Sequence, residues 1–203
     1  MSLKEKYSLR YKTLVEISQK LQEDLSSNLI DTSHIDRINA RPKSVERFLR
    51  KSKNRNSDKS EKYSDPLNQI QDQVGARIIV FYLDDIEIVE TVLRRYYQPI
   101  EEQLIIPDSE KEFGYEGKHF IFLLPSDVVP DGLDTELIPD FFELQIKTLY
   151  QHAFSEASHD LAYKPGTLLT SDQKRKVAFA SAQSWGADQF FSQLVKDIFS
   201  ELN

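Results

Sequence analysis

"FFELQIKT", residues 141–148, alternates apolar Phe142, Leu144 and Ile146 with polar Glu143, Gln145 and Lys147. Successive strand side chains point to opposite faces, so the spacing predicts a β-strand with one oily face and one carrying an acid, an amide and a base. A half-exposed sheet shows the same alternation for no reason beyond solvation. What surrounds the strand in the chain has to decide between a wet face and a working one.

Working outward, "DQVGARIIVFYLDD" (72–85) predicts a strand over about 76–82 from Ile78, Ile79, Val80, Phe81 and Tyr82, then a helix over about 84–96. Further strands are expected at 100–106 and 119–125. Residues 4–28 space Tyr7, Leu14, Ile17, Leu21 and Leu25 at helical intervals, which predicts a first helix of several turns. "RPKSVERFLRK" (41–51) puts Pro42 near a helix start and Val45, Phe48 and Leu49 on one side. Arg41, Lys43, Arg47 and Lys51 are left for another surface, giving a short basic helix. After the 141–148 strand, a helix from Leu149 to about Tyr163, a Pro165-Gly166 break and a helix from Thr170 to Leu202 are expected. In that last helix Trp185, Phe190, Phe191, Leu194, Ile198 and Leu202 read as a core-facing stripe. A helical start, a mixed middle and a helical end suit an α+β domain with one sheet packed on helices. The division expected is a single domain over 1–203, with an N-terminal helix at 1–30, a mobile basic loop at 53–64 and C-terminal helices at 149–203.

Composition narrows the function classes. No apolar run approaches the roughly 18 residues of a membrane span, and the N-terminus lacks the apolar block of a secretory signal. With no Cys there is no disulfide framework, thiolate metal site or cysteine nucleophile, and a cytoplasmic location is expected. The net charge of −7 conceals an asymmetry: residues 41–62 carry nine bases against three acids, +6, which leaves −13 for the rest. One basic stretch in an acidic chain suggests a local anion site. The six glycines form no GxGxxG or GxxxxGK[ST] loop, the four histidines form no HExxH pair, and no serine lies in GxSxG.

What remains is an acid-and-base set spread over four segments. Asp72 precedes a strand, Glu143 lies on a strand, residues 41–51 are basic, and Tyr115 and His119 flank a turn leading into a strand. Two carboxylates from neighbouring strands can share a hard divalent cation, which takes oxygen ligands and keeps room for waters and substrate phosphates. Taken singly, each of these residues is more often an ordinary surface or turn residue.

In combination they resemble the synthetase domain of the RelA/SpoT family, which makes guanosine tetra- and pentaphosphate. "RPKSVERFLRK" looks like the family's basic ATP-binding segment, and "DQVGARIIVFYLDDI" is similar to its D-x-x-G-x-R strand opening. "GYEGKHF" matches G-Y-x-x-x-H, "FELQIKT" matches E-x-Q-I-[RK]-T, and "HAFSEASHDLAYK" resembles the helix ending E-H-x-x-x-Y-K. The tail "KRKVAFASAQSWGADQFF" looks like that of the small stand-alone synthetases.

The resemblance implies a nucleotidyltransferase-like fold with a single mixed β-sheet of about five strands flanked by helices. It implies that Asp72 and Glu143 hold Mg²⁺, with Glu143 also activating the acceptor hydroxyl. Arg41 and Arg77 would flank the adenine of ATP, while Lys43 and Lys51 engage its phosphates. Tyr115 would stack on the acceptor base, and His119, Gln145, Lys147 and His159 would line the acceptor phosphates. The implied reaction moves the β,γ-diphosphate of ATP to the 3′-hydroxyl of GDP or GTP. The chain departs from the family pattern at Arg47, Glu116 and Ser158, and the negative charge of Glu116 opposes anion binding. Two other readings stand beside the first. One is the family's toxin branch, with tRNA as acceptor and an antitoxin protein as partner; the other is an inactive nucleotide-binding protein. A homo-oligomer is compatible with all three.

Overall fold

The computed structural model describes residues 1–104, 117–162 and 169–200. In chain order the elements are α1 (Leu3–Asn28), β1 (Ile35–Pro42), α2 (Val45–Ser52), α3 (Pro66–Gln69), β2 (Val74–Val80) and α4 (Leu83–Leu93). They continue as β3 (Pro99–Leu104), β4 (Lys118–Leu123), β5 (Phe141–Thr148), α5 (Leu149–Ala162) and α6 (Ser171–Ser200). Three-residue 3₁₀ turns at Gln71–Gln73, Ser126–Val128 and Thr135–Leu137 join them. No helix among the described residues is long and apolar enough to cross a membrane.

The five strands form one sheet in the order β1-β2-β5-β4-β3, with β2 and β5 parallel and every other pair antiparallel. The expected α+β architecture with a single mixed sheet is therefore present. Alternation divides the sheet into two faces. One presents Val74, Ala76, Ile78, Phe120, Phe122, Phe142, Leu144 and Ile146, all buried. It packs on Tyr7, Leu14, Ile17, Leu21 and Leu25 of α1 and on Val89 and Leu93 of α4, so the stripe read in residues 4–28 is core. Ser2 and Glu5 start α1 with a reciprocal capping box: the Glu5 amide donates to the Ser2 hydroxyl at 3.3 Å, and the Ser2 amide donates to Glu5 Oε2 at 2.7 Å. Phe48 of α2 stacks on Tyr7 at 3.6 Å between ring centroids, which anchors the basic helix to α1.

The other face is polar, and the register sorts it into rows. Asn39, Arg77, Gln145 and His119 form one row across β1, β2, β5 and β4; Arg41, Gly75, Glu143 and Ile121 form the next; Arg37, Ile79 and Lys147 form a third across β1, β2 and β5. α5 lies over this face, through contacts of His152, Ser155 and Glu156 with the strands.

Two sequence expectations are corrected. Residues 41–42 belong to β1, a strand that the weak alternation of IDRINARP does not announce, and α2 starts only at Val45, capped by the Ser44 hydroxyl. Arg41 is thus a strand residue. The large apolar residues of α6 are not core: Phe190 is 81% exposed, and Trp185, Phe191, Leu194 and Ile198 are each between 43% and 49% exposed, while Leu202 lies outside the described residues. The side of α6 that faces the domain carries Ser181, Asp188 and Ser192, all buried. The Thr148 hydroxyl donates to Asp188 at 2.6 Å, and the Leu83 amide donates to the Ser192 hydroxyl at 3.2 Å. Size and apolarity suggested burial for the aromatic positions, but the buried side of α6 meets the end of β5 and the start of α4 through hydrogen bonds, with half-exposed Phe191 stacked on Tyr150 beside them.

This inversion is measurable. Phe48→Ala, at a fully buried ring, is expected to lower the unfolding free energy by about 3–5 kcal/mol. Phe190→Ala is expected to change it by less than about 0.5 kcal/mol. Urea denaturation at low protein concentration distinguishes the two; a large loss at Phe190 would place the α6 stripe in the core after all.

Candidate active site

The 3₁₀ turn Gln71–Gln73 brings Asp72 to the mouth of the polar face, with φ −90° and ψ 34° at Asp72 just before β2 begins. The Lys43 amide donates to the Gln73 carbonyl at 2.8 Å, extending the β1–β2 ladder by one step, so the residues after β1 and before β2 lie side by side. Lys43 and Lys51 each bring their ammonium to 2.8 Å from the same Asp72 oxygen, Oδ2. Burial pushes the Asp72 carboxyl up, but the two ammoniums outweigh it and hold the group below the usual carboxylate range. The other oxygen, Oδ1, is buried and has no hydrogen-bond partner among the described residues.

Glu143 sits on β5 opposite Gly75 of β2, whose missing side chain leaves open space on that side. Gln145 Nε2 donates to Glu143 Oε2 at 3.1 Å. Burial raises the Glu143 carboxyl above its ordinary value, and the negative charge of Asp72 raises it further. Two half-buried carboxylates that sense one another, one with an unsatisfied oxygen, fit a hard divalent cation. No group of three or more His, Asp or Glu suited to a metal occurs among the described residues, so a cation bound here would complete its shell with water or substrate oxygens.

The neighbouring rows are cationic. Lys147 is buried, its ammonium donates to the Ser155 hydroxyl at 3.2 Å, and burial, helped by the charge of Arg77, lowers its pKa to about 8. Burial together with Lys147 and Arg77 takes His119 down to about 4, so its ring is neutral at pH 7. Its Nδ1 is 3.7 Å from Glu143 Oε1, beyond hydrogen-bond length, and its Nε2 is buried without a partner among the described residues. Gln145 Oε1 is in the same condition. Unsatisfied buried polar atoms are rare in folded proteins, and three of them, Asp72 Oδ1, His119 Nε2 and Gln145 Oε1, lie on this one face, where water, an ion or a ligand can supply the missing partners.

Of the residues expected to act together, the fold brings Asp72, Lys43 and Lys51 into direct contact, with Glu143, Gln145, Lys147, His119 and Arg77 alongside. Arg41 is exposed at the β1 edge of the same face. His159 is exposed in the last turn of α5, three residues beyond Glu156 and so on the same side of that helix. Tyr115 and Glu116 lie outside the described residues.

Three contributors escape sequence reasoning: His152, Ser155 and Glu156 of α5. Arg77 Nη1 donates to Glu156 at 2.6 Å and to His152 Nδ1 at 3.1 Å, which places the imidazole proton on Nε2. Burial, with Arg77 beside it, lowers the His152 pKa, while the Arg77 hydrogen bond holds Glu156 below its ordinary value. The sequence holds only half of the signal: residues 152, 155 and 156 share one side of a helix that follows directly on β5, but that this side lies on the sheet is set by the tertiary fold.

Comparison with known proteins places the chain among its relatives. The family described as "Region found in RelA / SpoT proteins" matches residues 40–167, which take in the end of β1 and all of β2, β5 and α5. GTP pyrophosphokinase YjbM of Bacillus subtilis (strain 168) is 29% identical over 169 residues, covering 81% of this chain and 74% of that protein. The crystal structure of the small alarmone synthetase 1 from Bacillus subtilis superposes with a TM-score of 0.75 at 22% identity, covering 97% of each chain. The structure of that synthetase bound to its product pppGpp gives a TM-score of 0.70 at 26% identity, covering 96% of this chain and 97% of that one. With its sheet, its paired carboxylates and a family match over more than half its length, the chain belongs to the RelA/SpoT family.

Proposed function

We propose that the protein is a diphosphotransferase that moves the β,γ-diphosphate of ATP to the 3′-hydroxyl of GDP or GTP, yielding guanosine tetra- or pentaphosphate and AMP. One observation carries the reading: Asp72, gripped by two lysines, and Glu143, with a raised pKa, share a face on which three buried polar atoms await partners. The similarity to a GTP pyrophosphokinase and to a synthetase crystallised with pppGpp supports the choice of substrates.

In this reading Lys43 and Lys51 bind the ATP phosphates as point charges, and the planar guanidinium groups of Arg41 and Arg77 flank the adenine. Asp72 and Glu143 would hold Mg²⁺, which would supply charge neutralisation for the transferred phosphates. Glu143 also takes the proton of the acceptor 3′-hydroxyl, a role that its position on the polar face beside Gln145 supports. The freed oxygen attacks the β-phosphorus of ATP, the bond from that phosphorus to the bridging α–β oxygen breaks, and AMP carries the oxygen away. Lys147, His119, Gln145 and His159 line the acceptor phosphates, and Tyr115 stacks on the acceptor base. Little covalent chemistry falls to the protein; most of the acceleration comes from positioning and charge.

Incubation with Mg²⁺, labelled ATP and either GDP, GTP or deacylated tRNA tests the proposal. Label in a guanosine polyphosphate is expected; label on tRNA, or binding without transfer, would replace this reading. Glu143→Gln and Asp72→Asn are each expected to lower kcat at least about a hundredfold while the circular dichroism spectrum is unchanged. Near wild-type turnover in either variant would remove the carboxylate pair from the chemistry.

The pH dependence follows from Lys147. Its ammonium is charged below about pH 8 and neutral above, so its attraction for the acceptor phosphates is present at low pH and lost as pH rises. The kcat/KM for the acceptor is expected to fall as pH is raised through about 8, and Lys147→Arg is expected to keep it flat there, because the guanidinium stays charged. A wild-type profile that is flat through the same range would argue against a phosphate-binding Lys147.

A further inference from the structure

The stripe of α1 that packs on the sheet runs Tyr7, Leu14, Ile17, Leu21 and Leu25, and the helical position between the first two belongs to Arg10. Arg10 is only 5% exposed, and among the described residues its guanidinium hydrogen-bonds to no carboxylate. It donates instead to three acceptors on separate segments: the Leu67 carbonyl of α3 at 2.6 Å, Gln73 Oε1 at 3.1 Å and the Glu136 carbonyl at 2.6 Å. Asp65 and Asp140 contribute negative charge from longer range. A buried cation costs desolvation, and an apolar side chain of similar size at such a site is often as stable or more so. Stability alone therefore does not account for an arginine in the middle of an apolar stripe.

The acceptors indicate what it does. Gln73 follows Asp72 directly, and its side chain is locked on every side: Oε1 receives Arg10, while Nε2 donates to the Leu67 carbonyl at 2.7 Å and the Ile70 carbonyl at 2.9 Å. The Gln73 carbonyl in turn receives the Lys43 amide. One helical turn before Arg10, the Tyr7 hydroxyl donates to the Lys43 carbonyl at 2.8 Å. Two side chains of α1 thus brace both sides of the Lys43–Asp72 ion pair, Tyr7 through the Lys43 main chain and Arg10 through Gln73, and neither reaches the ammonium or the carboxylate.

We propose that Arg10, assisted by Tyr7, is a positioning residue that holds the Asp72 turn where its carboxylate meets the lysines and a divalent cation. The proposal rests on the diphosphotransfer reading for its effect on turnover, but its effect on cation affinity is independent of the acceptor. α1 becomes part of the site's support, not only a cover for the sheet.

The test compares the full-length wild type with Arg10→Met and Tyr7→Phe, the latter keeping the ring stack on Phe48. Mn²⁺ affinity is measured by electron paramagnetic resonance with a non-hydrolysable ATP analogue present, kcat and acceptor KM by diphosphate transfer, and Tm by calorimetry. In Arg10→Met, Mn²⁺ binding is expected to weaken about tenfold or more, and kcat to fall about tenfold to a hundredfold with the acceptor KM unchanged. Tyr7→Phe is expected to move both quantities in the same direction with little change in Tm, which keeps the proposal testable should Arg10→Met fail to fold. Folded variants with wild-type Mn²⁺ affinity and kcat, whatever their Tm, would overturn it, as would a wild type that takes up no Mn²⁺. If the wild type binds Mn²⁺ but transfers diphosphate to no acceptor, the functional reading fails alone, and the three Mn²⁺ affinities still decide the role of Arg10.

Discussion

Two ammonium groups on one carboxylate oxygen are what make the polar face possible. Lys43 and Lys51 hold Asp72 ionised in a place where burial alone would favour its protonated form. Burial raises the nearby Glu143 carboxyl, the persistent charge of Asp72 raises it further, and a pair of unlike carboxylates results from two chemically similar side chains. Pairs driven apart in this way divide labour in many active sites, one acid serving as a fixed charge and the other as a proton acceptor. The rest of the architecture serves that contact: β1 and α2 deliver the lysines, the turn before β2 delivers Asp72, and β5 delivers Glu143.

Much of this was legible in the chain. FFELQIKT is strand β5 over its whole length, and its polar residues face the site because period-two alternation permits no other arrangement once Phe142, Leu144 and Ile146 are buried. The first helix and the basic helix were readable from their apolar spacing. β1 was not, since IDRINARP alternates weakly, contains a register shift between Ile35 and Arg37, and owes its strand state to pairing with β2. The partners of Arg77 on α5 were hidden for a different reason: whether a helix lies over a sheet face is a tertiary fact, and only then do His152 and Glu156 meet the arginine. The outward aromatics of α6 failed the simplest rule, that large apolar residues are buried, which runs reliably in one direction only.

The Arg77 contact shows how one residue can hold two places. In the structure its guanidinium is committed to Glu156 and His152. For it to flank a nucleotide base, the planar group has to offer a face while its edge stays hydrogen-bonded, which guanidinium geometry allows and an ammonium does not. The α5 acid would then orient the arginine without competing for the same surface.

The sheet order also has a kinetic side. Hairpin-like neighbours such as β3 and β4 pair locally, but the parallel β2–β5 register joins Gly75 to Glu143 across everything between them. Closing so long a segment costs more chain entropy than closing a short turn, and non-local pairings of this kind slow folding. The two carboxylates therefore meet only when that central seam closes. Until then Asp72 and Glu143 sit on separate segments, so the completed polar face doubles as a reporter that this long-range seam has closed.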